Sequence, residues 1–572
     1  MSAAGEEIIE RILAGGAMDN LIGGNDARQR AGDKLRVFGR ILDEQQRSAI
    51  HLDLLVVDVR GWQARRTEPQ ASKGHSWPRR REPNVQNRYH STVKLRLLLA
   101  FLLALAPQVL AEGLPDLGES ASVDLSPQME RRIGESIVRD IRLRDPTYLD
   151  DPEVIAYLNQ LGARLAAATP DIKQDFEFFA VRDNTLNAFA MPGGFIGVHT
   201  GLIVAAQSES ELAGVLGHEM AHVTQRHIAR MVGKQKEASM ISIATLIVGI
   251  LAARSNSQMG QAAIATGAAA GIQTQLNYSR DFEREADRIG IATLEGAGFD
   301  ARGMAGFFDR LQRFSRLYEN NAPAYLRTHP LTSERISDME NRAQQRPYRQ
   351  VPDSLDFELI RAKLRVQQVS AQDAVVEFET QLREKKFSSE IAARYGLARA
   401  LLAKKNYPAA EQELATVRRL KAASPIVETL AAELKSARGD VPGSVQAYRE
   451  ARGRYPQSRA LAYGYIEALL AASDAQEALR TTKGELENHP SDARLHGLQA
   501  KSYAALGKRL QQHRAQAELY VLQGQLPAAI AQLQLAQKAG DGDFYELSAV
   551  DARLRELKAR QLEEAKERRS QP

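Results

Sequence analysis

The chain has 572 residues, of which 44% are hydrophobic and 26% are charged, and its formal net charge at pH 7 is +5. This length predicts two or three domains, and the small net charge, without a basic stripe that carries aromatic residues, argues against nucleic acid as a partner. Because the sequence has no cysteine, thiolate metal sites, disulfides and a cysteine nucleophile are excluded, so a transition metal would have to be bound by histidine and carboxylate groups.

The first element along the chain is a short apolar segment with the features of an export signal. Basic residues precede the apolar run 97–105, and Ala111 is the small residue that signal peptidase favours. We predict a signal peptide over 93–111, cleavage after Ala111 and a periplasmic location. Because an export signal normally begins a chain, we predict that residues 1–92 are a non-native extension from a misassigned start site, with Val93 as the native start. The alternative is a cytosolic extension on a signal-anchored protein.

The segment 112–345 has the mixed helix and strand patterns of an α+β domain. The predicted elements are helices over 126–144 and 152–168, strands over 176–181, 187–191 and 195–200, and one helix over 209–232. An apolar and small-residue segment follows at 240–272. Its apolar run is shorter than the roughly 20 residues that cross a bilayer, so we expect two packed helices there, with peripheral membrane contact as the alternative.

The rest of the chain is helical and rich in alanine and leucine. Ala410, Ser444 and Ala478 are small residues spaced 34 apart, each early in the second helix of a predicted pair. This spacing resembles that of tetratricopeptide repeats, which stack into a solenoid with a concave groove; an irregular helical bundle is the alternative. The predicted C-terminal segments are a linker at 346–357, a tetratricopeptide-like repeat domain at 358–558 and a charged tail at 559–572.

The motif His218-Glu219-Met220-Ala221-His222 lies on the helix predicted over 209–232. Two histidines four residues apart project from one helix face and can bind one Zn²⁺ ion, while Glu219 beside them can take a proton from water. Taken alone, the motif could be two surface histidines on a charged helix. The apolar residues around it indicate a buried helix instead, in which polar side chains need partners such as a metal.

A catalytic zinc centre has three protein ligands and one open position. His227 is five residues after His222, which on a continuous helix turns it away from the metal, so we expect it in solvent or near a ligand ring. A carboxylate from the segment 278–287 is the best candidate for the third ligand. Glu283 can bind the metal while Asp287, one turn later, accepts a ring N–H from a ligand histidine. Without the upstream motif this segment would be only a charged helix.

Residues 175–340 resemble the HtpX and CAAX-prenyl-protease family of gluzincin zinc peptidases. The resemblance rests on three motifs: the His218–His222 motif, Ser279-Arg280 followed by Glu283-Arg284-Glu285-Ala286-Asp287, and the strand and turn over 187–194. It implies that Glu283, and not Glu285, is the third zinc ligand. It also implies the fold class, which is mainly α with a small β-sheet: a gluzincin-type α+β peptidase domain followed by an all-α tetratricopeptide-like solenoid.

Within that family, residues 93–572 are similar to periplasmic proteases that carry such repeats. The resemblance implies that unfolded or misassembled outer-membrane proteins are the substrates and that the repeats bind these or the outer-membrane assembly machinery. A chaperone-like activity is also compatible with it. Two other functions compete: a repeat-based chaperone or scaffold with a latent metal site, and an integral membrane peptidase, against which the lack of a long apolar run argues.

The mechanism expected for such a site is metal-assisted hydrolysis of a peptide bond. Glu219 removes a proton from the attacking water and returns it to the leaving amine. The developing oxyanion needs one more donor, for which Arg280 and His329 are the candidates. His329 lies on a constrained loop before a predicted helix cap, and it could instead occupy the fourth zinc position and keep the enzyme latent. The strand 187–191 could pair with an extended substrate.

Overall fold

The computed structural model describes residues 125–169, 174–232, 280–317, 324–346 and 349–570, which all belong to one compact unit that begins at Val109. The predicted extension 1–92, the signal peptide 93–111 and the segment 240–272 lie outside these ranges. Within the described ranges, none of the helices has the length and apolar character needed to cross a membrane.

Two capped helices, α1 (Pro127–Arg144) and α2 (Pro152–Ala167), open the described part of the chain. Each has proline in its first turn, where the missing N–H costs nothing, and each follows a side chain that caps the helix. Ser126 and Asp151 accept backbone N–H groups of the first turn, which leaves fewer of these groups without a partner. The two helices predicted over this stretch are therefore confirmed.

Three strands form a small sheet in the spatial order β1-β3-β2: β1 (Glu177–Val181), β2 (Ala188–Met191) and β3 (Phe195–His199). The central strand β3 pairs in parallel with β1 and antiparallel with β2, so β2 lies at an edge. Gly193 and Gly194 connect β2 to β3 with φ angles of 79° and 89°, which glycine adopts without a steric penalty. The three predicted strands are confirmed.

The motif helix is shorter than predicted. After α3 (Thr200–Ala205), α4 spans Glu209–Thr224, and a separate helix α5 spans His227–Val232. The prediction of one helix over 209–232 is wrong because Arg226 has a φ of 52°, in the left-handed region, which ends α4 and turns the chain. The Arg226 guanidinium donates to the Leu125 carbonyl, a contact with a distant segment that local sequence patterns do not reveal.

The described residues between 280 and 346 form four more helices: α6 (Arg280–Gly296), α7 (Arg302–Leu317), α8 (Ala324–Thr328) and α9 (Ser333–Gln344). α6 packs closely against α4, with Gly290 opposite Gly217 at the contact. A Cβ atom on Gly290 would lie 3.1 Å from the backbone nitrogen of His218. The two glycines therefore let the helix backbones approach closely beside the motif.

The C-terminal part consists of six consecutive helix pairs. Their first helices begin at residues 355, 390, 425, 459, 493 and 526, a spacing of 33–35 residues, as in tetratricopeptide repeats. The helices are α10 (Leu355–Gln368), α11 (Ala371–Glu384), α12 (Glu390–Ala403), α13 (Tyr407–Arg419), α14 (Pro425–Ala437), α15 (Val441–Arg454), α16 (Arg459–Ala471), α17 (Ala475–Asn488), α18 (Ala493–Ala505), α19 (Arg509–Leu522), α20 (Leu526–Gln537) and α21 (Phe544–Ser570).

The small residues that predicted the repeats lie at the contacts between paired helices. Ala410, Ser444 and Ala478 are each buried in the first half of α13, α15 and α17. Ser444 Oγ donates a hydrogen bond to the Ala432 carbonyl of the preceding helix at 2.9 Å. The predicted pattern of helix pairs is therefore confirmed, with the small residues buried near the start of each second helix.

The first repeat helix packs into the core of the preceding α+β part. α10 packs against α2 and α3, with the ring of Phe357 next to Tyr157 and fully buried. Lys363 Nζ of the same helix lies 2.6 Å from Glu153 Oε2, at the start of α2. Ser354, the cap of α10, donates its hydroxyl to Glu209 Oε1 at 2.7 Å, at the start of α4. Both apolar and polar contacts therefore join the first repeat helix and the end of the predicted linker to the part of the chain that precedes the linker.

Candidate metal centre

The two motif histidines lie one turn apart on α4. Four residues are close to one turn of 3.6, so His218 and His222 project from the same face, and their Nε2 atoms are 3.0 Å apart. Both side chains are buried, and so are all the remaining residues of α4 except Thr224 at its end. Imidazoles in such a place need polar partners, and α6 and the loop after α8 supply them.

Glu283 and His329 complete a group of four donors. Glu283 Oε1 lies 3.5 Å from His222 Nε2, and its Oε2 lies 3.5 Å from His218 Nε2. His329 Nδ1 lies 3.0 Å from Glu283 Oε1 and 3.4 Å from His218 Nε2. One ligand atom from each of the four residues lies within 4.8 Å of all the others, and all four side chains are buried.

The spacing of these atoms fits a tetrahedral metal centre. Bonds of about 2.0–2.2 Å to the corners of a tetrahedron place the ligand atoms roughly 3.3–3.6 Å apart. The separations of 3.0–3.5 Å given above are close to that, and imidazole with carboxylate is a donor set that suits zinc. Among the residues that the structure describes, this is the group of histidine and acidic side chains that could hold a metal ion.

Glu219 lies between the donor group and the edge strand β2. Its Oε2 accepts the backbone N–H of Ala190 at 3.0 Å, and its Oε1 lies 3.5 Å from His329 Nε2. The side chain is buried. Glu219 therefore sits beside the four donors without being one of them, which is the position predicted for a general base.

Asp287 contacts the outer nitrogen of His218, and Arg335 holds Asp287. Asp287 Oδ1 lies 3.0 Å from His218 Nδ1, on the side of the ring away from the donor group. Arg335 on α9 makes two parallel hydrogen bonds to this carboxylate, of 2.7 and 2.8 Å, and its third nitrogen lies 2.8 Å from Glu283 Oε2. Sequence reasoning missed Arg335, because only the packing of α9 on α6 reveals that its charge is buried.

His227 contacts the outer nitrogen of His222, and the alternative that placed it in solvent is wrong. It is fully buried, and its Nδ1 lies 2.8 Å from His222 Nδ1. The angular argument assumed a continuous helix, whereas the break at Arg226 lets α5 bring His227 back toward the ligand. Burial lowers the pKa of His227 to about 4, so the ring is neutral at physiological pH.

Arg280 and His329, the two predicted oxyanion donors, differ in their placement. Arg280 is the first residue of α6 and is exposed, and none of the distances within the donor group involves it. His329 is fully buried, and its ring stacks on Tyr325 at 4.6 Å. The structure thus brings His329 into the centre and leaves Arg280 outside it.

Electrostatics set the protonation of the donors. Burial alone raises the pKa of Glu283, but the surrounding histidines, with His329 first, hold it well below the ordinary value. Burial lowers the pKa of His222 well below the ordinary value. Burial also lowers the pKa of His218, but contacts with Asp287 and Glu283 outweigh this and raise it to about 9. In the protein without a metal, this environment favours a protonated His218, a neutral His222 and a charged Glu283.

Comparison with known proteins identifies the family of the chain. The profile of peptidase family M48 matches residues 152–343. A beta-barrel assembly-enhancing protease of Escherichia coli K12 is 32% identical over 456 residues, which cover 79% of this chain and 92% of the relative. A Vibrio cholerae protein, provisionally given the same name, is 34% identical over 447 residues, which cover 78% of this chain and 92% of that protein.

A third relative matches a shorter stretch of this chain. It is a mitochondrial metalloendopeptidase of Schizosaccharomyces pombe, 28% identical over 222 residues, which cover 38% of this chain and 62% of that protein. The two long matches cover most of this chain, and the family profile covers the residues that build the donor group. The chain therefore belongs to peptidase family M48, as a metalloendopeptidase of the group that includes the beta-barrel assembly-enhancing proteases.

Proposed function

We propose that the chain is a zinc-dependent endopeptidase of the periplasm that hydrolyses outer-membrane or envelope proteins that fail to assemble. The observation that carries the enzymatic part is the buried group of His218, His222, Glu283 and His329 with Glu219 beside it. The substrate class is supported by the names of the two relatives whose matches cover most of this chain. The location is supported by the signal predicted over 93–111.

Each side chain of the centre has a distinct task in this proposal. His218, His222 and Glu283 hold Zn²⁺, which when bound supplies a Lewis acid for water and for the scissile carbonyl. Glu219 takes the proton of the attacking water and passes it to the leaving amine, and its hydrogen bond to β2 fixes the carboxylate in place. Asp287 orients the ring of His218 from behind.

If zinc binds here, His329 would be the fourth protein ligand and would close the site at rest. Its Nδ1 is as close to the Glu283 carboxylate and to His218 as a fourth tetrahedral donor would be, at 3.0 and 3.4 Å. A substrate carbonyl or water would then have to take the place of this nitrogen. In the alternative role, the ring would leave the metal alone and donate to the oxyanion. Arg280, which lies at the surface, remains the second candidate for that donor.

The edge of β2 is the place where an extended substrate would lie. His199 N–H donates to the Asn187 carbonyl at 3.0 Å, so by alternation the backbone groups of Ala188 and Ala190 point away from β3. The Ala190 N–H faces Glu219 at 3.0 Å. A peptide paired with this edge would therefore pass directly beside the general base.

The repeat domain over 358–558 would bind substrates or the outer-membrane assembly machinery and so select what reaches the metal. A second function is a chaperone or scaffold that uses the repeats while the metal site stays latent. The observation that favours this second function is the placement of His329 among the donors, because a fourth protein ligand would leave no open position for a substrate. The segment 240–272 is proposed as a site of peripheral membrane contact.

Glu219→Gln separates the two functions. An amide cannot accept the proton of water, so we expect retained zinc and a loss of cleavage of an unfolded outer-membrane barrel protein by about 10²–10⁴-fold. The matched control is Glu487→Gln, an exposed residue of the repeats, which should cleave like the parent. Undiminished cleavage by Glu219→Gln would refute the assignment. An exported chain that begins at Glu112 would support the signal.

A further inference from the structure

A line of contacting side chains leads away from His222 on the side opposite to the donor group, through the buried His227 to the half-buried Glu285. We propose that His227 is a positioning residue that fixes the ring orientation and the tautomer of His222, and that Glu285 fixes His227 in the same way. This inference rests on the proposed zinc centre and deepens it. It concerns the residues that support the ligand rather than the ligands themselves.

The contacts along this line are continuous. His227 Nδ1 lies 2.8 Å from His222 Nδ1, and His227 Nε2 lies 3.2 Å from Glu285 Oε2. Arg230 donates to the same carboxylate oxygen at 3.0 Å. The His227 ring also stacks on Phe282 with 4.4 Å between the centroids and an angle of 8°, which limits rotation of the ring. Each ring nitrogen of His227 thus has a polar neighbour, and its face is held.

The geometry determines which nitrogen carries each hydrogen. His222 Nε2 faces the donor group, so its lone pair is the one available to a metal, and the neutral ring carries its hydrogen on Nδ1. This N–H donates to His227 Nδ1. The His227 hydrogen is then on Nε2 and donates to Glu285, whose charge Arg230 balances. All these hydrogen bonds run in one direction, from the ligand toward the carboxylate.

The two motif ligands are therefore supported by different chemistry. The outer nitrogen of His218 directly faces the carboxylate of Asp287, at a distance of 3.0 Å. For His222 a neutral imidazole stands between the ligand and the carboxylate of Glu285. Because α5 begins at His227 immediately after the left-handed Arg226, the break in the motif helix is what places the supporting ring. The break has a function in this proposal: it brings a third histidine behind the second.

Zinc affinity of the full chain is the measurement that tests the proposal. His227→Phe keeps a ring that can stack on Phe282 but removes both nitrogens, and we expect zinc to bind 10–100-fold more weakly in competition with a chromophoric chelator. His227→Gln keeps an amide oxygen to accept from His222 and an amide N–H to donate to Glu285. We expect it to restore most of the lost affinity. The matched controls are His489→Phe and His489→Gln in the repeats, which should bind zinc like the parent.

A spectroscopic readout and a second variant complete the test. With Co²⁺ in place of zinc, the visible absorption bands should shift in His227→Phe and stay near the parent position in His227→Gln, because they report the geometry of the ligands. Glu285→Leu removes only the acceptor of His227 and should also weaken zinc binding; if His227→Phe does not fold, this variant carries the test. Parental affinity and bands in the folded variants would overturn the proposal. A parent chain that binds no zinc would instead overturn the proposed zinc centre.

Discussion

The close contact between α4 and α6 can be tested by adding one methyl group. In Gly290→Ala the new Cβ would lie 3.1 Å from the His218 nitrogen and 3.2 Å from its Cα, both backbone atoms that cannot rotate away. Gly306 lies within α7 and is exposed, and a Cβ added there would meet no atom of the described residues within 4 Å. The two substitutions therefore share one chemistry and differ in their surroundings.

The expected magnitudes follow from two opposing effects. Replacing glycine by alanine inside a helix stabilises it by roughly 0.8–1 kcal/mol, and this is the whole effect expected for Gly306→Ala. At Gly290 the helices must separate by a few tenths of an ångström, and overpacking of this kind costs about 1–3 kcal/mol. The net change in the free energy of unfolding is then about 0 to 2 kcal/mol destabilising. Because Glu283 and Asp287 are on the helix that moves, zinc affinity should also fall in Gly290→Ala alone.

Thermal unfolding measures the stability of both variants, and competition with a chelator measures their zinc affinity. Gly306→Ala should raise the unfolding midpoint by on the order of 1–2 °C with unchanged zinc affinity. Gly290→Ala should fail to raise it and should bind zinc more weakly. If Gly290→Ala stabilises the chain as much as Gly306→Ala does and keeps the parental zinc affinity, the helices are not in tight contact at the motif and the reasoning is refuted.

Three further predictions concern the centre. Arg335→Met removes the buried guanidinium that bonds Asp287 and contacts Glu283, which should cost about 3–5 kcal/mol of unfolding free energy at neutral pH. Burial raises the pKa of Asp287, but Arg335 and His218 outweigh this and hold it below its ordinary value. The stability that this ion pair contributes is therefore present above about pH 4 and is lost as the pH falls further. In denaturant titrations from pH 7 down to pH 3, the variant should lose less unfolding free energy than the parent. His329→Ala should open the fourth position and raise peptide turnover with zinc retained, whereas a fall of about 10²–10³-fold would assign the ring to the oxyanion. Zinc affinity should rise with pH up to about pH 9, since a proton at His218 competes with the metal, and a flat profile from pH 6 to 9 would contradict this.

Local patterns were enough to predict the parts of the centre that depend on helix geometry. The spacing of His218 and His222, and that of Glu283 and Asp287, follows from 3.6 residues per turn whatever the rest of the chain does. The same holds for the repeats, where Ser444 and its equivalents return at a fixed period. These features could be predicted because each is decided within about 35 residues of sequence.

Contacts between distant segments were not predictable in this way. Arg335 is 48 residues after Asp287, and nothing in its neighbourhood marks it as buried. The position of His227 depends on the φ angle of Arg226, a non-glycine residue in the left-handed region that a contact with Leu125 holds, so helix periodicity alone could not locate it. Conversely, Arg280 belongs to a diagnostic motif, yet its side chain is exposed at the start of α6.

The contact between the start of α4 and the segment before α10 limits how this protein can be divided. The Glu209 N–H donates to Asp353 Oδ1 at 2.7 Å, and the Glu209 carboxylate receives the Ser354 hydroxyl and the Tyr157 hydroxyl. A recombinant fragment that stops at residue 345, the boundary suggested by the sequence, would lack both Asp353 and Ser354. The motif helix α4 would then begin with a buried carboxylate that lacks one of its hydrogen-bond donors. The smallest fragment suited to studying the peptidase by itself therefore extends through α10, into the first repeat.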